Sequence, residues 1–154
     1  MSEMNSTELA AACGFAPAAG EGARQVQGIF AGDLLSWAMG RAKEGDAWFT
    51  VMGNVNTVAV AALTDCACVV LCHGAGWDAG ALQRAGEQGV ALYTCPLPEF
   101  EAAYLAAAKL GLPLPQALTR CGATFTSTPA FLPAQTTPLP PPWPRAWPSW
   151  PGQM

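Results

Sequence analysis

Residues 47–72, AWFTVMGNVNTVAVAALTDCACVVLC, decide the fold. A short apolar run at 47–52 breaks at Gly53, passes into a helical pattern over 54–65 and ends in a second apolar run at 67–72. Neither run alternates polar with apolar residues, and both carry aromatic or β-branched side chains. A strand covered on both faces reads this way. Between the runs, Val55, Val58, Ala59, Ala62 and Leu63 recur at helical spacing and make one apolar face. Val60 and Ala61 widen that face until the helix is expected to be nearly surrounded.

The alternation continues downstream with a helix over 77–88, a third strand at 90–94 (VALYT) and a helix over 98–110. That last helix opens with Pro98 in its first turn beside Glu99 and Glu101, where a missing N–H costs nothing and negative charge suits the helix dipole. Phe100, Tyr104 and Leu105 are expected to pack it, and Gly111 with Pro113 to stop it. Strand and helix in this repeated order predict an α/β domain with a mainly parallel sheet, joined by right-handed crossovers and flanked by helices.

Upstream, residues 5–13 predict a short helix with Asn5 and Glu8 as a cap pair. Residues 15–19 and 25–30 predict two further strands around a turn at Gly20, Glu21 and Gly22. Asp33 is then placed to cap a helix carrying Leu34, Leu35, Ala38 and Met39. About 110 residues suffice for one core, so the expected domain is 1–111.

From residue 112 the composition changes, taking 11 of the 14 prolines and three of the six tryptophans. Proline at this density breaks helices and removes donors from any ladder, so 112–154 is expected to be a disordered tail. Its P-x-x-P spacings over 138–151 suit a protein partner with a groove that reads polyproline II; the plainer alternative is an extension without a partner.

The net charge is −4, and because the tail carries Arg120 and Arg145 with no acid, the domain carries −6. That sign excludes nucleic acid as the expected partner, since phosphate binding requires clustered Lys and Arg. The first residues, MSEMNSTELA, are polar and acidic, and no apolar stretch reaches membrane-spanning length. A cytoplasmic protein without membrane association is expected.

Catalytic signatures fail one after another. No G-x-x-x-x-G-K-[ST] occurs, the single histidine His73 excludes H-E-x-x-H, and there is no G-x-S-x-G. Residues 74–79, GAGWDA, match G-x-G-x-x-A between a strand and a helix, but the next strand ends in Tyr93, Thr94 and Cys95 with no acid for a ribose. No catalytic residue, cofactor or enzyme activity is expected.

Six cysteines raise a metal or redox alternative. On a strand, Cys68 and Cys72 stand about 13 Å apart, too far to share an ion whose thiolates bind at about 2.3 Å. Cys72, His73 and Cys95 survive as a candidate metal or redox set, since all three fall at strand ends; the plainer reading is buried thiols acting as small apolar groups beside an exposed histidine. In an open α/β sheet a ligand sits beyond the carboxyl ends of the strands. There the chain offers Gly53, Asn54, Asn56, His73, Gly74 and Thr94 as candidate ligand-binding residues for a small anion or nucleotide. The plainer reading is that Gly53 makes the turn and Asn54 caps the helix.

Two stretches carry a resemblance: 32–71, GDLLSWAMGRAKEGDAWFTVMGNVNTVAVAALTDCACVVL, and 89–103, GVALYTCPLPEFEAA. Together they resemble the DRTGG-domain family over about residues 7–110. That group includes the amino-terminal domain of HPr kinase/phosphorylase, regulatory domains of some phosphotransacetylases and nucleotide-regulated pyrophosphatases, and stand-alone proteins of the iron-hydrogenase-associated type, to which this chain is most similar. The resemblance implies a non-catalytic regulatory or scaffold domain that forms a homodimer and senses a small metabolite or nucleotide. Where relatives carry a Gly-Asp-Arg type turn, this chain has Gly53, Asn54, Val55 and Asn56, so the charged groups of that turn are missing.

Overall fold

The computed structural model describes residues 3–113. In chain order the elements are β1 (Met4–Asn5), α1 (Ser6–Cys13), β2 (Ala16–Ala19), β3 (Gln25–Val26), β4 (Gly28–Ala31), α2 (Leu35–Arg41), β5 (Asp46–Thr50), α3 (Val55–Leu63), β6 (Cys68–Leu71), α4 (Ala79–Gln88), β7 (Leu92–Thr94) and α5 (Glu99–Leu110). Five strands form one sheet in the order β2-β7-β6-β5-β4. Strands β4 to β7 run parallel, and β2 closes one edge antiparallel to β7. β1 and β3 make a separate antiparallel ribbon.

The apolar runs behave as strands of a sheet covered on both faces. Phe49, Val70, Cys72 and Tyr93 point to the side of α1 and α5, where Leu9, Phe15, Ala102, Ala106 and Leu110 meet them. Trp48, Val69 and Leu92 point to the other side, against Ala38, Val58, Ala61, Ala81 and Ala85 of α2, α3 and α4. Alternation along each strand is therefore present in direction and absent in polarity, because both layers are apolar.

Several local expectations hold. Asn5 and Glu8 close a capping box on α1: the Glu8 N–H donates to Asn5 Oδ1 at 2.8 Å and the Asn5 N–H to Glu8 Oε2 at 2.9 Å. Asn54 caps α3 through its side-chain oxygen, which accepts from the Thr57 N–H at 3.1 Å.

Others are corrected. The strand expected over 25–30 divides at Gln27, whose N–H turns to the Gly45 carbonyl at 2.8 Å. Pro98 is the residue before the first turn of α5 and not within it. Phe100 and Tyr104 stack on each other with centroids 6.2 Å apart but stand 78 % and 68 % exposed; the buried stripe of α5 is Ala102, Ala106 and Leu110. Two alanines one turn apart let the helix lie close to the sheet, and larger rings there would hold it off. α3 is buried along Thr57, Val58, Val60 and Ala61, yet Leu63 at its end is 68 % exposed, so the helix is not surrounded.

Leu112 counted with the tail by composition. It packs on the core, and its N–H donates to the Ala107 carbonyl at 3.1 Å just past Gly111, whose left-handed φ of 64° ends α5. Residues 114–154, with the P-x-x-P spacings, lie outside the described residues. Among the described residues no helix is long and apolar enough to cross a membrane.

Candidate functional site

Parallel pairing of β4 to β7 brings four strand ends, at Ala31, Thr50, Leu71 and Thr94, to one rim. The segments that leave these ends carry every residue of the candidate site.

At the β4 end, Asp33 does not cap α2: Leu34 is the cap residue and makes no side-chain cap bond. Asp33 Oδ1 instead accepts from Thr50 Oγ1 and from the Val51 N–H, both at 2.9 Å. Thr50 is fully buried, so its hydroxyl needs an internal partner, and a carboxylate is a stronger acceptor for it than a neutral oxygen. The demand of a buried donor overrides the local preference of Asp for a cap.

At the β5 end, Gly53 is explained by the chain itself. A Cβ there would run into the Gly76 carbonyl and touch Leu71 Cδ2 at 3.0 Å. The Gly53 carbonyl in turn accepts from the Asp78 N–H at 2.8 Å, at the start of α4. The glycine-rich loop matched as G-x-G-x-x-A thus packs against the turn after β5. Asn54 is committed to α3 through its oxygen, and Asn56 is exposed on the first turn.

At the β6 end, His73 and Gly74 both take left-handed backbone, with φ of 59° and 68°. His is tolerated there and Gly is favoured. The His73 N–H donates to the Leu97 carbonyl at 2.8 Å and the Gly74 N–H to the Cys95 carbonyl at 3.1 Å, joining the loops after β6 and β7. The exposed imidazole reaches the start of α5, where His73 Nε2 accepts from the Glu99 N–H at 3.2 Å. Since Pro98 offers α5 no side-chain cap, His73 supplies the acceptor from another loop.

Gly74 and Thr94 line one open depression of about 320 Å³ together with Gly14, Ala16, Cys95 and Pro96. Gly53, Asn54 and Asn56 stand on the neighbouring stretch of rim, and His73 faces α5. The six candidates therefore share a rim, and two of them share a cavity.

The candidate set of Cys72, His73 and Cys95 is not gathered. Among the described residues no group of three His, Cys, Asp or Glu side chains is placed to hold a metal ion. Cys72 is fully buried, as a thiol acting as a small apolar group is, and lacks the partial exposure that the redox alternative requires. Burial pushes its thiol up to about 12, with Cys95, Glu99 and Asp33 adding to the effect. Cys95 is buried too, its Sγ accepting from the Leu97 N–H at 3.3 Å. A thiol that keeps its proton is neither a nucleophile nor a ready metal ligand.

Reading the sequence missed a carboxyl pair. Burial pushes the Glu99 carboxyl up to about 7, helped by a hydrogen bond to the Asp33 carboxyl group and by its charge. Two acids placed this close resist being ionised together. The one signal in the sequence was Thr50, a hydroxyl in an apolar run, which announces a polar partner across the rim.

Neither a family model nor a curated protein matches this chain. Among solved structures it is similar to the CBS and DRTGG domains of the regulatory region of Clostridium perfringens pyrophosphatase, determined with the activator diadenosine tetraphosphate. The TM-score is 0.58 at 12% sequence identity. The match covers 70% of this chain and 47% of that one, so the chain spans less than half the length of the structure it matches. At this identity the likeness is one of fold.

Proposed function

We propose that the domain is a non-catalytic regulatory module of the DRTGG type, cytoplasmic and homodimeric, that senses a small anionic metabolite or nucleotide at the carboxyl rim of its sheet. The observation that carries the reading is the rim itself. Four parallel strands deliver backbone turns, amide side chains and a shallow cavity to one edge. The Gly74 and Thr94 depression is the binding position, with Asn56 at the start of α3 and His73 as polar groups elsewhere on the same rim. The similar pyrophosphatase region is regulatory and was solved with a nucleotide activator, which favours sensing over chemistry. The stacked Phe100 and Tyr104 on α5 give the homodimer an exposed aromatic face. In this reading residues 114–154 recruit a protein partner; removing them abolishes capture of that partner and leaves the domain's ligand response intact.

A thermal-shift titration of the full chain with inorganic phosphate, AMP, acetyl phosphate and diadenosine tetraphosphate tests the sensing. A ligand held at a hundred times its Kd stabilises the folded state by about 2.7 kcal/mol, and at least one of the four is expected to raise the midpoint. Thr94→Val and Asn56→Asp then weaken that response. A midpoint unmoved by all four compounds overturns the sensing role, and a monomeric mass by light scattering across micromolar concentrations overturns the homodimer.

A further inference from the structure

Away from the strand-end depression, the loop that leads into α2 bounds a second concavity. Phe30, Leu34, Trp37 and Arg41, with residues 31–33, line an open groove of about 510 Å³. That size falls in the range of small-molecule sites, about 300–1,000 Å³. Its walls are apolar side chains that the fold leaves open, Leu34 56 % and Trp37 55 % exposed. Its floor is fixed: Trp48 Nε1 donates to the Gly32 carbonyl at 2.9 Å, Phe30 packs edge-on against Trp48 at 6.3 Å, and Asp33 is tied to Thr50 and Val51. A groove held this way loses little freedom when occupied.

The charges along it are uneven. Trp37 and Arg41 lie one turn apart on α2, and the guanidinium carbon sits 4.0 Å from the Trp37 ring centroid. Among the described residues Arg41 has no carboxylate within ion-pair distance. Stacked on the ring, the guanidinium keeps its N–H edge available for a planar anion. Asp33, also in the lining, contributes negative charge.

We propose that this groove binds a small planar aromatic ligand bearing one anionic group, its ring against Trp37 and Phe30 and its anion on Arg41. One unpaired cation matches one negative charge. A polyphosphate fits poorly, since it would meet a single guanidinium and then the Asp33 carboxylate. The site is separate from the Gly74 and Thr94 depression, and it stands or falls without the sensing role proposed there.

The test uses the full chain with 1-anilinonaphthalene-8-sulfonate, a fused aromatic ring with one sulfonate, and its uncharged analogue N-phenyl-1-naphthylamine. Saturable one-to-one binding of the sulfonate is expected by calorimetry. Arg41→Gln weakens it about tenfold and leaves the uncharged dye unaffected, as loss of a charge-assisted hydrogen bond requires. Trp37→Ala weakens both dyes, and Leu63→Ser, at an exposed apolar side chain outside the groove, weakens neither. Both groove residues are on the surface, so far-UV spectra of the variants should match the parent. Equal binding by the parent, Arg41→Gln and Trp37→Ala overturns the proposal. So does a second copy in the groove, seen as dye binding that falls with protein concentration while the mass doubles.

Discussion

Thr50 Oγ1 donates to Asp33 Oδ1 at 2.9 Å, and this bond ties the loop after the edge strand β4 to the end of its neighbour β5. The donor is buried and the acceptor belongs to an exposed residue, so the bond carries unequal consequences for its two partners. Asp33→Ala strands the buried Thr50 hydroxyl, while the exposed Val51 N–H turns to water, and is expected to cost about 1–3 kcal/mol. Thr50→Val removes the hydroxyl while keeping the shape, and Asp33 retains Val51, so the loss should be the smaller of the two. Urea denaturation of both single variants and the double variant measures the coupling. A double variant whose loss equals the sum of the single losses would mean that the two residues act independently.

Gly53 and Gly76 meet in the same contact but differ in tolerance. A methyl group on Gly53 meets the Gly76 backbone, whereas a methyl group on Gly76 meets nothing within 4 Å. Gly53→Ala is expected to destabilise by about 1–3 kcal/mol, the usual range for overpacking. Gly76→Ala should stay within about 0.5 kcal/mol of the parent. Comparable midpoints for the two variants would show that the turn after β5 yields easily and that the close approach is not what demands glycine at 53.

How far the sequence was legible follows from where the determining contacts lie. The strands 47–52, 67–72 and 90–94 could be read because a strand buried on both faces is apolar at every position, a property of the strand alone. Caps at Asn5 and Asn54 were legible because their partners are three residues away. α5 was misjudged in its packing face: the rings at Phe100 and Tyr104 outweigh Ala102 and Ala106 on any hydrophobic scale, yet close approach to the sheet selects small side chains. The rim residues Gly74 and Thr94 came together because strand ends converge in any parallel sheet. Asp33 and Glu99 did not announce themselves, since their meeting depends on how α5 lies across the sheet, and no local pattern encodes that.

Burial of Cys72 makes a redox prediction. Its thiol, pushed up to about 12 chiefly by burial, stays protonated through the physiological range. Native protein treated with iodoacetamide at pH 8 and mapped by peptide mass should leave Cys72 and Cys68 unmodified, and both should react once the chain is unfolded in urea. Alkylation of native Cys72 at the rate of a free thiol would restore the redox alternative that the structure disfavours.

Glu99 makes stability depend on pH in an unusual direction for a carboxyl group. In the folded domain it keeps its proton up to about pH 7, while the unfolded chain releases it near 4.5. Below pH 4.5 both states hold the proton and the contribution to stability is fully present. Between 4.5 and 7 only the folded state binds it, so stability falls as pH rises and the contribution is gone above about 7. The group is partly solvated, which limits the effect to about 1 kcal/mol. Glu99→Gln keeps a neutral side chain beside Asp33 and should flatten this component, leaving the variant the more stable protein at pH 8. The Glu99 N–H also donates to His73 Nε2, so the imidazole is a second side chain that bears on the same helix start. Comparing Glu99→Gln with its parent in a His73→Ala background separates the two. If the two chains in that background show the same dependence of the unfolding midpoint on pH between 4 and 8, the raised Glu99 carboxyl is not the source of that dependence.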